Sequence, residues 1–311
     1  MQIIKSLTPG EVSPCVATIG FFDGFHTGHR RVVGQMRDIA SRKGLATLVI
    51  TFDEHPRRVL QKDYLPSLLT TLPEKLALIE ASGADYCLVL PFTTEMAALT
   101  AYDFMRTVLR DTLSVRTLVA GHDHRFGRGA SESFAQYKAY GRELGIDVEQ
   151  TARHEAGDVV VSSSAIRRFL EAGNIVQANT CLGYPYALSG RVVEGRKMGR
   201  TIGFPTANLA PFDPLKMIPA GGVYAITATV EGQTYGGMLN IGTRPTFDEE
   251  SREVSIEAHL FDFDRNIYGL DITLHFVRRL RFEQKFDSVE ALCARLAADR
   301  TETLAVLASQ A

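Results

Sequence analysis

Two histidines three residues apart, His26 and His29, stand between a short β-branched run (residues 16–19) and a periodic segment beginning at Arg30. The turn joining them to the run carries Gly20, Phe22, Asp23 and Gly24. A strand, a glycine turn and a helix start together aim unpaired backbone N–H groups and a positive dipole end at one point. Residues three apart at a helix start share a face, and Gly28 between the imidazoles lacks a Cβ, so a phosphate can approach the backbone. Such a set suits a phosphate that gains charge during reaction. An isolated HxxH would fit a solvated helix start or a metal equally well. The strand and glycine context favours the phosphate reading.

A second constellation spans residues 190–208. Gly195, Gly199 and Gly203, with Arg196, Lys197 and Arg200, make a basic loop able to cover phosphates with backbone amides and cations. The Gly-Lys-Ser/Thr ending of a Walker A loop is missing. Thr206 and Asn208, two apart, offer hard oxygens to a Mg²⁺ whose other ligands would be ATP phosphates. Glu257 lies in a strand-like stretch beside Ile256 and Ala258, and periodicity leaves it either a solvated strand residue or a base facing a ligand. Ser163 or Ser164 can cap the helix that follows, and the same helix start with Arg167 would bind phosphate oxygens. In the polar loop 121–129, Asp123, Arg125 and Arg128 suit a polar ligand, while His122 and His124 form an HxH without a third ligand of metal spacing.

These groups need elements to hold them. Helices are expected at 30–43, 73–82, 101–113 and 132–144, strands at 46–52, 86–92, 117–121 and near Val148. This alternation implies right-handed βαβ units in a doubly wound parallel sheet. Ligands of such sheets lie beyond the strands' carboxyl ends, where His26, His55 and the loop after Gly121 would converge. Past Gly183 the pattern turns to period two. Hairpins are expected from 222–230 with 234–242 and from 254–263 with 267–277, building a small closed antiparallel barrel. An amphipathic helix over 287–308 packs on it. The organisation expected is thus α/β over 1–183 and β-barrel with a C-terminal helix over 184–311.

Composition narrows the class. The 311 residues suggest two domains, and a formal charge of −2 gives no basic footprint for nucleic acid. Four widely spaced cysteines without a CxxC read as reduced thiols, and no apolar run reaches membrane-spanning length. The N-terminal residues lack a signal-peptide core, so a cytoplasmic protein is expected.

The stretch through His26-Thr27-Gly28-His29 resembles the HxGH signature of nucleotidyltransferases, whose histidines stabilise the transition state at an α-phosphate. Nearly the whole chain resembles the bacterial bifunctional riboflavin kinase/FAD synthetases. The resemblance is carried by residues 20–29, Thr51-Phe52 with His55-Pro56, 121–127, 162–167, 203–208, 240–247, 257–263 and 280–286. It implies an N-terminal FMN adenylyltransferase and a C-terminal riboflavin kinase built on a six-stranded antiparallel barrel. His26 and His29 would contact ATP phosphates, Ser164 and Arg167 the triphosphate, and Asp123, with Arg125 and His55, the flavin. Thr206 and Asn208 match a PTAN motif binding Mg²⁺ and nucleotide, and Glu257 the base for the riboflavin 5′-hydroxyl. The implied small molecules are ATP, riboflavin and FMN, with neither nucleic acid nor membrane as partner, and weak self-association is left open. Phe21, Glu54, His122 and His124 depart from the family pattern and bear on flavin affinity and rate. The rival classes are a flavin sensor without turnover and a single-activity or cytidylyltransferase-like enzyme.

Overall fold

The computed structural model describes residues 1–311 except 62, 123, 131, 158, 196–197, 246–251 and 310–311. Asp123, Arg196, Lys197 and the end of the 240–247 motif therefore lie outside the described residues. The chain forms two compact units, Met1–Ser163 and Ser164–Ala311.

The first unit runs β1 (Gln2–Ile4), β2 (Cys15–Ile19), α1 (Thr27–Lys43), β3 (Ala46–Phe52), α2 (Pro56–Leu60), α3 (Leu72–Ala81), β4 (Tyr86–Leu90), α4 (Thr94–Ala98) and α5 (Ala101–Asp103). After α5 the helix continues in π geometry over Phe104–Thr112, followed by β5 (Val115–Ala120), a 3₁₀ turn, α6 (Phe134–Leu144), β6 (Asp147–Gln150) and a small hairpin, β7 (Glu155–Ala156) with β8 (Val159–Val160). The six main strands are parallel in the order β1-β4-β3-β2-β5-β6. Strand alternation sends Cys15, Ala17 and Ile19 to one core, with Met105, Leu109, Tyr137 and Leu144. Val16 goes to the opposite core with Val33, Met36, Ile39 and Ile79 of α1 and α3. The doubly wound expectation holds. The strand order reverses between β2 and β5, so the crevice for a ligand opens at the loops after Ile19 and Ala120.

Two edge features escaped the sequence reading. β1 is only three residues long, too short to show a period. α1 starts at Thr27 rather than Arg30 because His26 caps it.

The second unit opens one residue into α7 (Ser163–Glu171), followed by α8 (Ile175–Leu182). Then come β9 (Ala187–Val193), α9 (Met198–Thr201), β10 (Ala207–Pro211), β11 (Gly222–Val230), β12 (Gln233–Pro245), β13 (Arg252–Leu260), β14 (Asp271–Arg281) and α10 (Val289–Ala308). The six strands close a barrel in the order β10-β13-β12-β11-β14-β9. The first expected hairpin forms, with Glu231 and Gly232 both at positive φ (48° and 79°) in its two-residue turn. The second does not. β13 pairs with β10 and β12, β14 with β11 and β9, so each already has its two neighbours. The connection over residues 261–270 is also longer than hairpin loops run.

α7 and α8 are tied to the barrel. Ala220 donates its N–H to the Leu170 carbonyl at 3.0 Å, and the Asn179 side chain donates to the Phe276 carbonyl at 2.8 Å and accepts from the Tyr186 N–H at 2.8 Å. A fragment beginning at Ser164 should therefore fold by itself. One beginning at Tyr184 should be less stable by about 3 kcal/mol or more, since burial of Ile175 and Leu182 alone contributes ~1.5–3 kcal/mol each. Urea titration of the two fragments measures this, and equal midpoints would show that the helix pair adds nothing.

Candidate active sites

The first site is a bent loop between β2 and α1. Phe22 and Phe25 both take positive φ, 55° and 30°, a conformation that strains bulky residues. Their rings are buried beside Val32, Val33 and Met36, which offsets that cost. Asp23 is buried too, and its carboxylate accepts the N–H of Leu69 (3.0 Å) and Thr70 (3.0 Å) and the Thr70 hydroxyl (3.3 Å). Asp23 thus anchors the loop, and the Ser163 hydroxyl bonds to its carbonyl at 2.9 Å. A Cβ on Gly20 would press on the Phe22 ring at 3.1 Å, and one on Gly28 on the His26 ring at 3.1 Å.

His26 caps α1, its Nδ1 accepting the His29 N–H at 3.3 Å. Nδ1 therefore has no proton, and in the neutral ring Nε2 bears it. The two imidazoles stack at 3.6 Å and 17°, with Phe22 edge-on to His29 at 5.1 Å. His29 Nδ1 is buried with no hydrogen-bond partner among the described residues. Burial chiefly, then the neighbouring His26, His124 and Lys75, hold its pKa well below 6.5. A buried polar atom without a partner, at a capped helix start, suits an anionic ligand.

Lys75 was not foreseen. It lies in the first turn of α3, where a cation opposes the helix dipole; that misfit was its only sequence signal. Its buried ammonium donates to the carbonyls of Phe21 (3.1 Å) and Phe52 (2.8 Å), and lies 4.2 Å from the Phe21 ring centre. Burial lowers its pKa to about 8, against the favourable charges of Asp23 and Asp53. It ties the loop after β2 to the end of β3. His55, cap of α2, meets Phe21 edge-on at 4.8 Å. Arg125 is exposed in the loop after β5. That loop is pinned by Tyr137, whose hydroxyl donates to the Phe126 carbonyl and accepts from its N–H, both at 3.0 Å. Helix α7 begins at Ser163, so the cap position falls on Ser162; Ser164 and Arg167 follow in the second unit.

The second site lies on the outer face of the barrel. Ile256, Ala258 and Leu260 of β13 are buried, so Ser255, Glu257 and His259 take the other face. Glu257 stands opposite Asn208 of β10 on one side and Asn240 of β12 on the other. Thr206 donates its hydroxyl to Glu257 Oε2 at 3.4 Å. Asn208 lies against Gly195, where a Cβ would meet its Nδ2 at 2.2 Å. A Cβ on Gly199 would strike the Phe204 carbonyl oxygen at 2.2 Å, and Gly203 has φ 82°, so both glycines are required by the turn into Thr206. At the other end of the row, a Cβ on Gly242 would lie 2.5 Å from Glu283 Oε1 and 3.2 Å from the Asn240 amide nitrogen. A cavity of about 450 Å³ beside the row is lined by Arg200, Pro205, Thr206 and Ala258, with the loop around Phe263 and Tyr268. Hydroxyl, amide and carboxylate oxygens in one row suit a hard cation such as Mg²⁺. Asn240 has no role that the sequence alone assigns, because cross-strand neighbours depend on register.

His29 makes stability depend on pH. The folded imidazole is neutral, while the unfolded one titrates near 6.5. Below that pH the unfolded chain binds the extra proton, so the contribution is intact above 6.5 and declines as pH falls. Urea unfolding at about pH 7.5 and pH 5.5 should show a larger loss for the parent chain than for His29→Asn. Equal losses would mean His29 is not a buried titrating group.

Known proteins resemble the chain on both sides of this division. Residues 8–165 match the FAD synthetase family model and residues 182–307 the riboflavin kinase model. The bifunctional riboflavin kinase/FMN adenylyltransferase of Escherichia coli K12 is 38% identical over 299 residues, covering 95% of this chain and 94% of the relative. That of Bacillus subtilis is 37% identical over 297 residues, covering 94% and 93%. A solved Streptococcus pneumoniae structure, titled a macrolide-efflux protein, superposes with a TM-score of 0.89 at 31% identity, covering 97% of this chain and 99% of that one. Among the described residues of this chain no helix is long and apolar enough to cross a membrane. With both family models and relatives of near-full length in agreement, the chain belongs to the bifunctional riboflavin kinase/FMN adenylyltransferases, which phosphorylate riboflavin to FMN and adenylylate FMN to FAD.

Proposed function

We propose that the α/β part of the chain, with the start of α7, adenylylates FMN and that the barrel phosphorylates riboflavin, the boundary falling near Gly183. The observation that carries this division is the row Asn208–Glu257–Asn240 with Thr206 bonded to Glu257. It is a general base beside phosphate-binding oxygens, on a different unit from the His26–His29 stack.

In the barrel, Glu257 accepts the proton of the riboflavin 5′-hydroxyl as that oxygen attacks the γ-phosphorus of ATP, and ADP leaves. Gly195, Gly199, Arg200 and Gly203 cover the phosphates, and Thr206 and Asn208 would hold Mg²⁺. When bound, Mg²⁺ supplies charge neutralisation at the phosphates. At the other site an FMN phosphate oxygen attacks the α-phosphorus of ATP and pyrophosphate leaves. FMN is already anionic there, so no base is needed. His26, His29 and the amides around Gly28 stabilise the charge that develops, Gly20, Phe22 and Asp23 shape their loop, and Ser163, Ser164 and Arg167 bind the triphosphate. His55, Arg125 and Asp123 contact the flavin. The partners are these small molecules. A cytoplasmic setting is supported by four free cysteines, three of them buried.

Two variants separate the activities. His29→Ala should lower FAD formation about 10²–10³-fold, the cost of one preorganised charge-stabilising group, with riboflavin phosphorylation nearly intact. Glu257→Gln should lower riboflavin consumption ~10²–10⁴-fold, the usual effect of losing a general base, while supplied FMN is still converted to FAD. Chromatography of riboflavin, FMN and FAD with ATP and Mg²⁺ reads both. Wild-type rates in either variant would sink the corresponding assignment. Flavin binding without any product would favour a sensor.

A further inference from the structure

The ladder between β10 and β13 begins at Ala207↔Ala258 and continues to Asn208↔Glu257. Continued one step outward it would set Thr206 against His259, but Thr206 precedes β10. Pro205 has no N–H to give to a ladder. The neighbouring turn is closed by Phe204 N–H to the Gly199 carbonyl, 2.8 Å, which leaves the Pro205 carbonyl to be held some other way. His259 holds it: Nδ1 lies 2.8 Å from the Pro205 oxygen. A carbonyl can only accept, so Nδ1 carries the hydrogen. The ring is placed by its strand, two residues from Glu257 on the same face, and by edge contacts with Phe204 at 5.3 Å and Phe261 at 5.8 Å.

We propose that His259 is a positioning residue of the barrel site, fixing the Pro205–Thr206 peptide so that the Thr206 hydroxyl stays beside Glu257. The inference rests on the barrel being the riboflavin kinase. Its physical content is specific. The Thr206 side chain reaches Glu257 Oε2 at 3.4 Å, a long bond that does not hold the segment by itself. The imidazole gives the Pro205 carbonyl, beyond the start of the ladder, a donor from a side chain on the same strand as Glu257. Thr206 and Glu257 are therefore referenced to a common backbone.

Donor and ring can be separated. His259→Phe keeps the aromatic contacts and removes the donor. His259→Asn puts an amide N–H about where Nδ1 stands and gives up the ring. In the full chain, His259→Phe should lower kcat/KM for riboflavin phosphorylation about 10–100-fold, as loss of an outer partner of a ligand does, and weaken MgADP binding by calorimetry. FMN adenylylation should be unchanged, and His259→Asn should recover most of both losses. A purely packing role predicts the opposite order, with Phe better than Asn. That order, equal impairment of the two, or a Phe variant equal to the parent would overturn the proposal. If the Phe variant does not fold, MgADP binding by His259→Asn against His259→Leu decides it: tighter binding by Asn supports the role and equal binding overturns it. A parent chain that fails to phosphorylate riboflavin would sink the kinase reading instead, while the MgADP comparison still reports on His259.

Discussion

The first unit depends on a buried carboxylate in a bent loop. Holding Phe22 and Phe25 at positive φ costs on the order of 1–3 kcal/mol each. Burial of their rings offsets that, but burial has no direction and would not fix where the backbone amides point. Asp23 supplies direction by collecting the N–H groups of Leu69 and Thr70 from a segment 46 residues away. Lys75, buried nearby, compensates its charge and fastens the carbonyls of Phe21 and Phe52. The loop that carries His26 is therefore held by the segment before α3 and, through Lys75 of α3, by the end of β3. On the proposed reading, such preorganisation lets backbone amides stabilise developing charge without rearranging.

The barrel meets a different constraint. Six strands closed on themselves fill the interior with side chains such as Ile226, Leu239, Ile256 and Phe276. The polar row lies on the outer face. There neighbouring strands align residues in rows, and the register Asn208↔Glu257↔Asn240 sets three polar side chains side by side. Gly195 and the turn from Gly199 to Thr206 provide a wall that the barrel itself lacks. Glycine is needed where that wall touches the row, since a Cβ at residue 195 would occupy the Asn208 amide.

Long periodic segments and local motifs were legible in the sequence, and partners distant in the chain were not. The buried strand at Ala46–Phe52, the helix ending at Gly44 and the Glu231-Gly232 turn each express a local rule, and each formed. The HxGH and PTAN stretches were visible because their residues are neighbours. Lys75 could not be assigned, because its acceptors lie 54 and 23 residues away. The hairpin expected from β13 to β14 failed for a related reason. Alternation identifies a strand but not its partner, and barrel closure had already given β13 two. His259 also reads as an ordinary strand residue until Pro205 is brought against it.

The two sites differ in where they keep charge, and the proposed reactions account for the difference. A riboflavin hydroxyl is a poor nucleophile until its proton has somewhere to go, so on the proposed reading the barrel needs an accessible base, and Glu257 is half-buried rather than enclosed. FMN arrives with its nucleophilic oxygen already ionised. The α/β site therefore requires positive charge that appears with the anion and does not strain the free protein. Burial and cationic neighbours keep His29 neutral in the free chain. An ATP triphosphate at its Nδ1 edge would oppose both influences at once and favour the protonated ring. His29 thus brings no charge of its own to the apolar loop in the free chain. A lysine in place of His29 would be cationic from the start and would pay the full desolvation cost in the empty site.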